Sequence, residues 1–300
     1  MSSDARGGLL KRLLVGAPMS LAQARHERLS KTVALAVFSS DAMSSVAYAT
    51  EEILLILILA GSAAAHLTVP VALAIAGLLV VVSASYQQTI HAYPSGGGSY
   101  IVARANLGAG AGLVAAGALL IDYVLTVSVS VAAGVAAMTS AVPWLLGHRV
   151  LIGVFFVAII AYANLRGVRE SGRLFAVPTY LFIVSFGVLV ATGLFRWIEG
   201  SLPPPPAVQQ AGTQALTWFL VLRAFSSGCT ALTGVEAISN GVPAFAHPEA
   251  RNAAITMTWM TVILGTLFLG ITVLASALGV APSADETVAS QVARSLFGNG

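Results

Sequence analysis

Three carboxylates stand among small and hydroxyl-bearing residues inside stretches apolar enough to cross a bilayer. Asp41 lies in Ser39-Ser40-Asp41-Ala42-Met43-Ser44-Ser45. Asp122 opens Asp122-Tyr123-Val-Leu-Thr126-Val-Ser128-Val-Ser130, and Glu236 closes Ser226-Ser-Gly-Cys-Thr230-Ala-Leu-Thr233-Gly234-Val-Glu236. A charge at membrane depth is costly and marks an ion or substrate pathway by default. Asp122, Thr126 and Ser130 are four apart, so they share one helix face. Hydroxyls at that spacing can ligate a hard, weakly demanding cation beside a carboxylate. They can equally bond their own backbone four residues earlier. Tyr123 lies beside that face, and Tyr48 follows Asp41 by seven residues.

The elements that carry these groups are membrane spans. The chain is 57% hydrophobic and 9% charged, with a mean hydropathy of +0.87. Apolar runs of about 20 residues recur along it, which predicts an all-α polytopic membrane protein. Seven spans are expected, near 32–60, 68–90, 109–140, 150–165, 174–195, 214–244 and 252–280. Residues 1–31 read as a basic cytoplasmic tail, 32–196 as a first group of five helices, 197–213 as an extracellular loop stiffened by four prolines, 214–280 as the start of a second group, and 281–300 as a polar extracellular end that stops short. Residues 99–107 read as a short interfacial helix, and 165–173 as an arginine-rich loop. With the N-terminus inside, eleven Lys and Arg fall on the inner side: six in the tail, plus Arg104, Arg166, Arg169, Arg173 and Arg251. Arg149, Arg196 and Arg294 fall outside. That bias sets the orientation. Arg223, within the sixth span, either snorkels outward or pairs with a carboxylate.

Spans 1 and 6 are each interrupted near mid-membrane, and each interruption carries a carboxylate, Asp41 or Glu236. Backbone can leave the helix at that depth only where protein or water covers it. Two interrupted spans at corresponding positions point to a transporter built on inverted repeats, with its site at the midplane. The stretch 39–45 is accordingly expected to be unwound. Small residues such as Gly228, Ala231, Gly234 and Ala237 also suit close helix packing, but packing does not account for two buried acids.

Other chemistries are excluded or unsupported. The single cysteine, Cys229, rules out an internal disulfide and a cysteine metal cluster. Five histidines show no ligand spacing, no nucleophile stands with a base, and the net charge of +3 is a topology signal and not a nucleic-acid one. Gly108-Ala-Gly-Ala-Gly112 follows no strand and is discounted as a phosphate loop. No enzymatic activity and no cofactor are expected.

The motifs Ser39-Ser-Asp-Ala-Met-Ser-Ser-Val-Ala-Tyr48, Tyr93-Pro-Ser-Gly-Gly-Gly-Ser-Tyr100, Leu120-Ile-Asp-Tyr-Val-Leu-Thr126 and Thr230-Ala-Leu-Thr-Gly-Val-Glu-Ala-Ile-Ser-Asn240 together resemble the amino acid–polyamine–organocation superfamily. The nearest likeness is to KimA-type potassium transporters of the KUP family. The resemblance implies a LeuT-like inverted-repeat fold and proton-coupled potassium uptake at the cell (plasma) membrane, with K+ and H+ as the transported species. By motif, it implies potassium-pathway roles for Asp41, Tyr48, Tyr123, Thr126, Ser130 and Thr233. It implies a proton-coupling and gating role for Glu236 and, less directly, for Asp122. Family members have about twelve spans and a cytoplasmic domain, so this chain corresponds to their N-terminal portion. Membrane lipid is an expected partner, a homodimer is a candidate assembly, and nucleic acid is not expected. Amino acid or polyamine transport by the same fold is the alternative. Asp41 argues against amino acids, because it would repel a substrate carboxylate where carriers of that type present glycine amides. A non-transporting membrane sensor or scaffold is a third class.

Overall fold

The computed structural model describes residues 28–165, 168–205 and 211–298. The tail at 1–27, Arg166 and Pro206 lie outside the described residues, as do the side chains of Arg169 and Arg173. The orientation read from the basic residues therefore rests partly on residues that are not described. Among the described residues the chain is helical, with only two isolated β-bridges.

Among the described residues, six helices are long and apolar enough to cross a membrane. The first is composite: α1 (Lys31–Ser44), a 3-10 turn at Ser45–Ala47, then α2 (Ala49–Leu57). Next come α3 (Thr68–Ala92), the short α4 (Gly98–Leu107), α5 (Ala109–Ala141), α6 (Arg149–Leu165) and α7 (Val168–Ile198). The loop expected at 165–173 is thus helical backbone from Val168 onward. A short helix, α4, covers the expected 99–107.

The expected sixth span, 214–244, is not one helix. It comprises α8 (Trp218–Gly228), a 3-10 turn at Cys229–Leu232, and the four-residue α9 (Ala237–Asn240). At 1.5 Å per residue, α8 alone reaches roughly 16 Å, short of a hydrocarbon core of about 30 Å. The rest of that depth is short turns, the four-residue α9 and the non-helical residues 233–236, admissible because it is enclosed by protein: Ala231, Val235, Ile238 and Val242 are all buried. α10 (Glu249–Ala277) follows, then α11 (Val288–Phe297).

The polar end expected at 281–300 is corrected by α11, an amphipathic helix. Thr287 caps it by accepting from the Ser290 amide at 3.3 Å. Val288, Ala289, Val292 and Leu296 are buried against α5, α7 and α10.

α10 is the centre of the core. It packs on α3, α7 and α1, burying Met257, Met260, Leu264 and Ile271 completely or nearly so. Hydroxyls link α10 to α3 and to α2 inside this apolar setting. Thr261 donates to Ser83 at 2.7 Å, and Thr50 pairs with Thr272 at 2.8 Å. Leu120, Ile121, Val124 and Leu125 of α5 and Val150, Leu151 and Val154 of α6 are exposed, the distribution expected of helices facing lipid or a further membrane segment.

The two bundle ends are defined by contacts. Leu29 donates to the Ala244 carbonyl at 2.8 Å and accepts from Ala246 at 2.9 Å. At the other end, Arg149 donates to the Ala284 carbonyl at 3.1 Å and Arg196 to the Leu296 carbonyl at 2.6 Å.

Candidate cation site at the two helix breaks

Asp41 is helical, contrary to the expectation that 39–45 is unwound. The serines bond within the segment they were expected to unwind. Ser40 donates to the Val37 carbonyl at 3.2 Å, Ser44 to Asp41 at 2.6 Å and Ser45 to Ala42 at 2.6 Å. Each hydroxyl reaches back three residues to its own backbone. The discontinuity lies just beyond, in the 3-10 turn and at Tyr48, where φ is −128° and ψ −19°.

The break in the sixth span is a true departure from helix. Thr233 is extended, with ψ 141°, and Gly234 has φ +77°. Gly234 abuts Asp41 directly. A Cβ there would stand 2.7 Å from an Asp41 carboxylate oxygen and 2.9 Å from the Ala42 amide nitrogen. Both the backbone conformation and the close approach require glycine. The two interruptions thus meet face to face, and Ser45 also reaches the Ala231 carbonyl across them at 3.3 Å.

α5 supplies the third wall. Of its polar residues, Thr126 is buried at 4% exposure, while Asp122 and Ser130 are half-buried on the same face. Ser130 pairs with Ser44 at 2.9 Å and also interacts with the Asp41 carboxylate. Its hydroxyl therefore turns across to span 1. The backbone-bonded alternative is taken by Ser128, which donates to Val124 at 2.7 Å.

The predicted residues fall into two neighbouring groups. The first is Asp41, Ser130 and the Thr233–Gly234 backbone, with Thr126 on the intervening face of α5. The Thr233 hydroxyl is turned onto the Thr230 carbonyl at 2.8 Å, so its side chain is already engaged. The second group is Asp122 and Glu236, which line a cavity of about 370 Å³ with Tyr86 and Ser99. Glu236 is 7% exposed, and its Oε1 has no hydrogen-bond partner. Tyr123 accepts from the Asn240 side-chain amide at 2.6 Å, at the end of α9. Tyr48 lies apart from Asp122 and Glu236, on a larger cavity of about 970 Å³ that it shares with Ser44 and Ser130.

That cavity also contains two acids absent from the sequence-based site, Glu51 and Glu52. Glu51 accepts from the Val288 amide at 3.1 Å, and Glu52 accepts from the Ser227 hydroxyl at 2.9 Å. The signal was present: a pair of charges within the run from Val46 to Leu59. Arg223 lies exposed on α8.

A carboxylate, hydroxyls and the carbonyl-bearing backbone of a non-helical segment form a hard-oxygen donor set for a weakly hydrated monovalent cation. No cluster of three or more His, Cys, Asp or Glu suited to a tightly held metal exists among the described residues.

Comparison with known proteins gives two findings. The family model described as amino acid permease matches residues 29–299. The potassium transporter KimA of Bacillus subtilis (strain 168) is 51% identical over 291 residues, which cover 96% of this chain and 48% of KimA. The chain therefore spans about half the length of this relative.

Proposed function

The chain belongs to the amino acid permease family, and from that premise we propose that it forms the cation-binding part of a potassium transporter. The identity to KimA supports potassium as cargo. The structural observation that carries the reading is Asp41, a carboxylate seated against the positive-φ Gly234 and beside Ser130. Carriers of amino acids need amides for the substrate carboxylate at this point; an anion serves a cation.

In this reading potassium sheds water into oxygens of Asp41, Tyr48, Tyr123, Thr126 and Ser130, with Thr233 contributing through its extended backbone. Glu236, with Asp122 beside it, exchanges the coupled proton. The long helices and two interrupted spans form the first five-helix repeat and the start of the second in a LeuT-like pair of inverted repeats. These sit in the plasma membrane with the N-terminus cytoplasmic, and one bundle rocks against the other. Inward movement of a cation is driven by about 2.3 kcal/mol per charge per 100 mV.

The test is 86Rb+ uptake with Asp41→Asn. Loss of uptake in a variant that still reaches the membrane is expected, and wild-type uptake sinks the assignment. The family description favours one second reading, an amino acid or polyamine as cargo. Competition of 86Rb+ binding by putrescine or amino acids separates the two, and none is expected.

A further inference from the structure

Two cavities meet at one pair of side chains. The first, about 370 Å³, holds Asp122 and Glu236; the second, about 590 Å³, is lined by Ser85, Thr89, Val102 and Asn106, among others. Tyr86 and Ser99 line both. The second cavity runs along the last turns of α3 and along α4, toward the bundle end that carries Arg104 and Arg251. In the first cavity, Glu236 is buried with one carboxyl oxygen unpartnered. A buried carboxyl oxygen left without a partner in protein is an address for water or a cation.

Resting on the potassium reading above, we propose that Tyr86 and Ser99 form the constriction of a water-filled route. By it a hydrated monovalent cation passes between the Asp122–Glu236 cavity and that bundle end. The outer cavity offers hydroxyls and an amide but no carboxylate, which suits passage and not retention. The constriction is mechanically joined to the break in the sixth span. The Gly97 amide donates to the Asn240 carbonyl at 3.3 Å. A Cβ on Gly98 would overlap the Asn240 side-chain oxygen, so the turn leading into α4 is seated on Asn240. Asn240 in turn donates to Tyr123. A change at α9 therefore reaches Ser99 through two residues of backbone.

The experiment uses the reconstituted protein with its single cysteine replaced, Cys229→Ala. Ser99→Cys is compared with Ala105→Cys, which is on the exposed side of α4 and lines neither cavity. A cationic methanethiosulfonate is added after folding, so the bulk is introduced into an assembled site. Modification of Ser99→Cys is expected to slow 86Rb+ exchange about tenfold, while equilibrium 86Rb+ binding changes by less than about twofold. Modified Ala105→Cys exchanges as before, and Tyr86→Phe, which removes one hydroxyl of the pair, exchanges faster. If Ser99→Cys resists the reagent while Ala105→Cys reacts, or reacts fully without slowing exchange, the route is overturned. Absence of 86Rb+ binding in the unmodified protein overturns the potassium reading instead. The labelling rates are read without any flux, so the two failures are separable.

Discussion

The interruptions of the first and sixth spans resemble one another in composition and differ in construction. Around Asp41 three of the four serines close a bond to their own helix while Ser39 Oγ is buried without a partner, and the chain passes from α-helix through a single 3-10 turn into α-helix again. No residue there has a positive φ. Around Glu236 the helix ends outright. Thr233 is extended, Gly234 is left-handed, and Thr230 Oγ1 and Glu236 Oε1 are buried without partners. One side is a largely satisfied scaffold that holds a charge, with Ser39 Oγ unpartnered; the other carries more unspent hydrogen-bonding capacity, at Thr230 Oγ1, Glu236 Oε1 and Asn240 Oδ1. Unsatisfied buried groups are destabilising in isolation, so their concentration on one side identifies where a ligand or water contributes most.

That contrast can be broken by substitution. The largest effect is expected from Gly234→Val, which forces a β-branched residue into the left-handed region at about 1–3 kcal/mol and drives its Cβ into Asp41. The thermal midpoint should fall and 86Rb+ uptake should vanish. Asp41→Asn should leave the fold intact yet weaken 86Rb+ binding about ten- to hundredfold, the equivalent of about 1.5–3 kcal/mol for a charged partner. Ser130→Ala removes one neutral oxygen and should weaken binding by about 1 kcal/mol. Thr233→Val, whose lost hydroxyl was bonded to Thr230, should leave affinity within about twofold and lower stability slightly. The smallest effect is expected from Ser40→Ala, a half-buried hydroxyl bonded to its own helix, which should move the denaturation midpoint by no more than about 0.5 kcal/mol. If Ser40→Ala and Gly234→Val instead proved equal, the distinction between scaffold and open side would be lost.

The long helices were legible because an apolar run of about 20 residues has few other fates. Thr68–Ala92, Ala109–Ala141 and Glu249–Ala277 fall within a few residues of the expected spans. The break at Asp41 was misplaced because composition reports that serines are present and not where their hydroxyls point. Three of them bond backward within the segment. The sixth span was correctly read as interrupted, since Thr233-Gly234 has little propensity for helix. α11 was missed because ten amphipathic residues look like a polar loop until Val288, Ala289, Val292 and Leu296 find α5, α7 and α10 to cover them. Glu51 and Glu52 were passed over although they stand in the same run as Asp41. Their engagement, one with the α11 amide and one with Ser227, depends on segments more than 170 residues away in sequence and could not be read locally.

The strap between Leu29 and residues 244–246 carries one further consequence. Its two backbone hydrogen bonds, with the stacking of Phe38 on Phe245 at 5.4 Å between ring centres, fasten the start of α1 to the tail of the sixth span. Ten helical residues, 31–40, lie between Leu29 and Asp41, a lever arm of roughly 15 Å. The fulcrum available to it is the turn at Ser45–Ala47. Torque applied at the strapped end would therefore swing α1 and the segment around Glu236 as one limb, delivering both carboxylates together and preserving the distance between them.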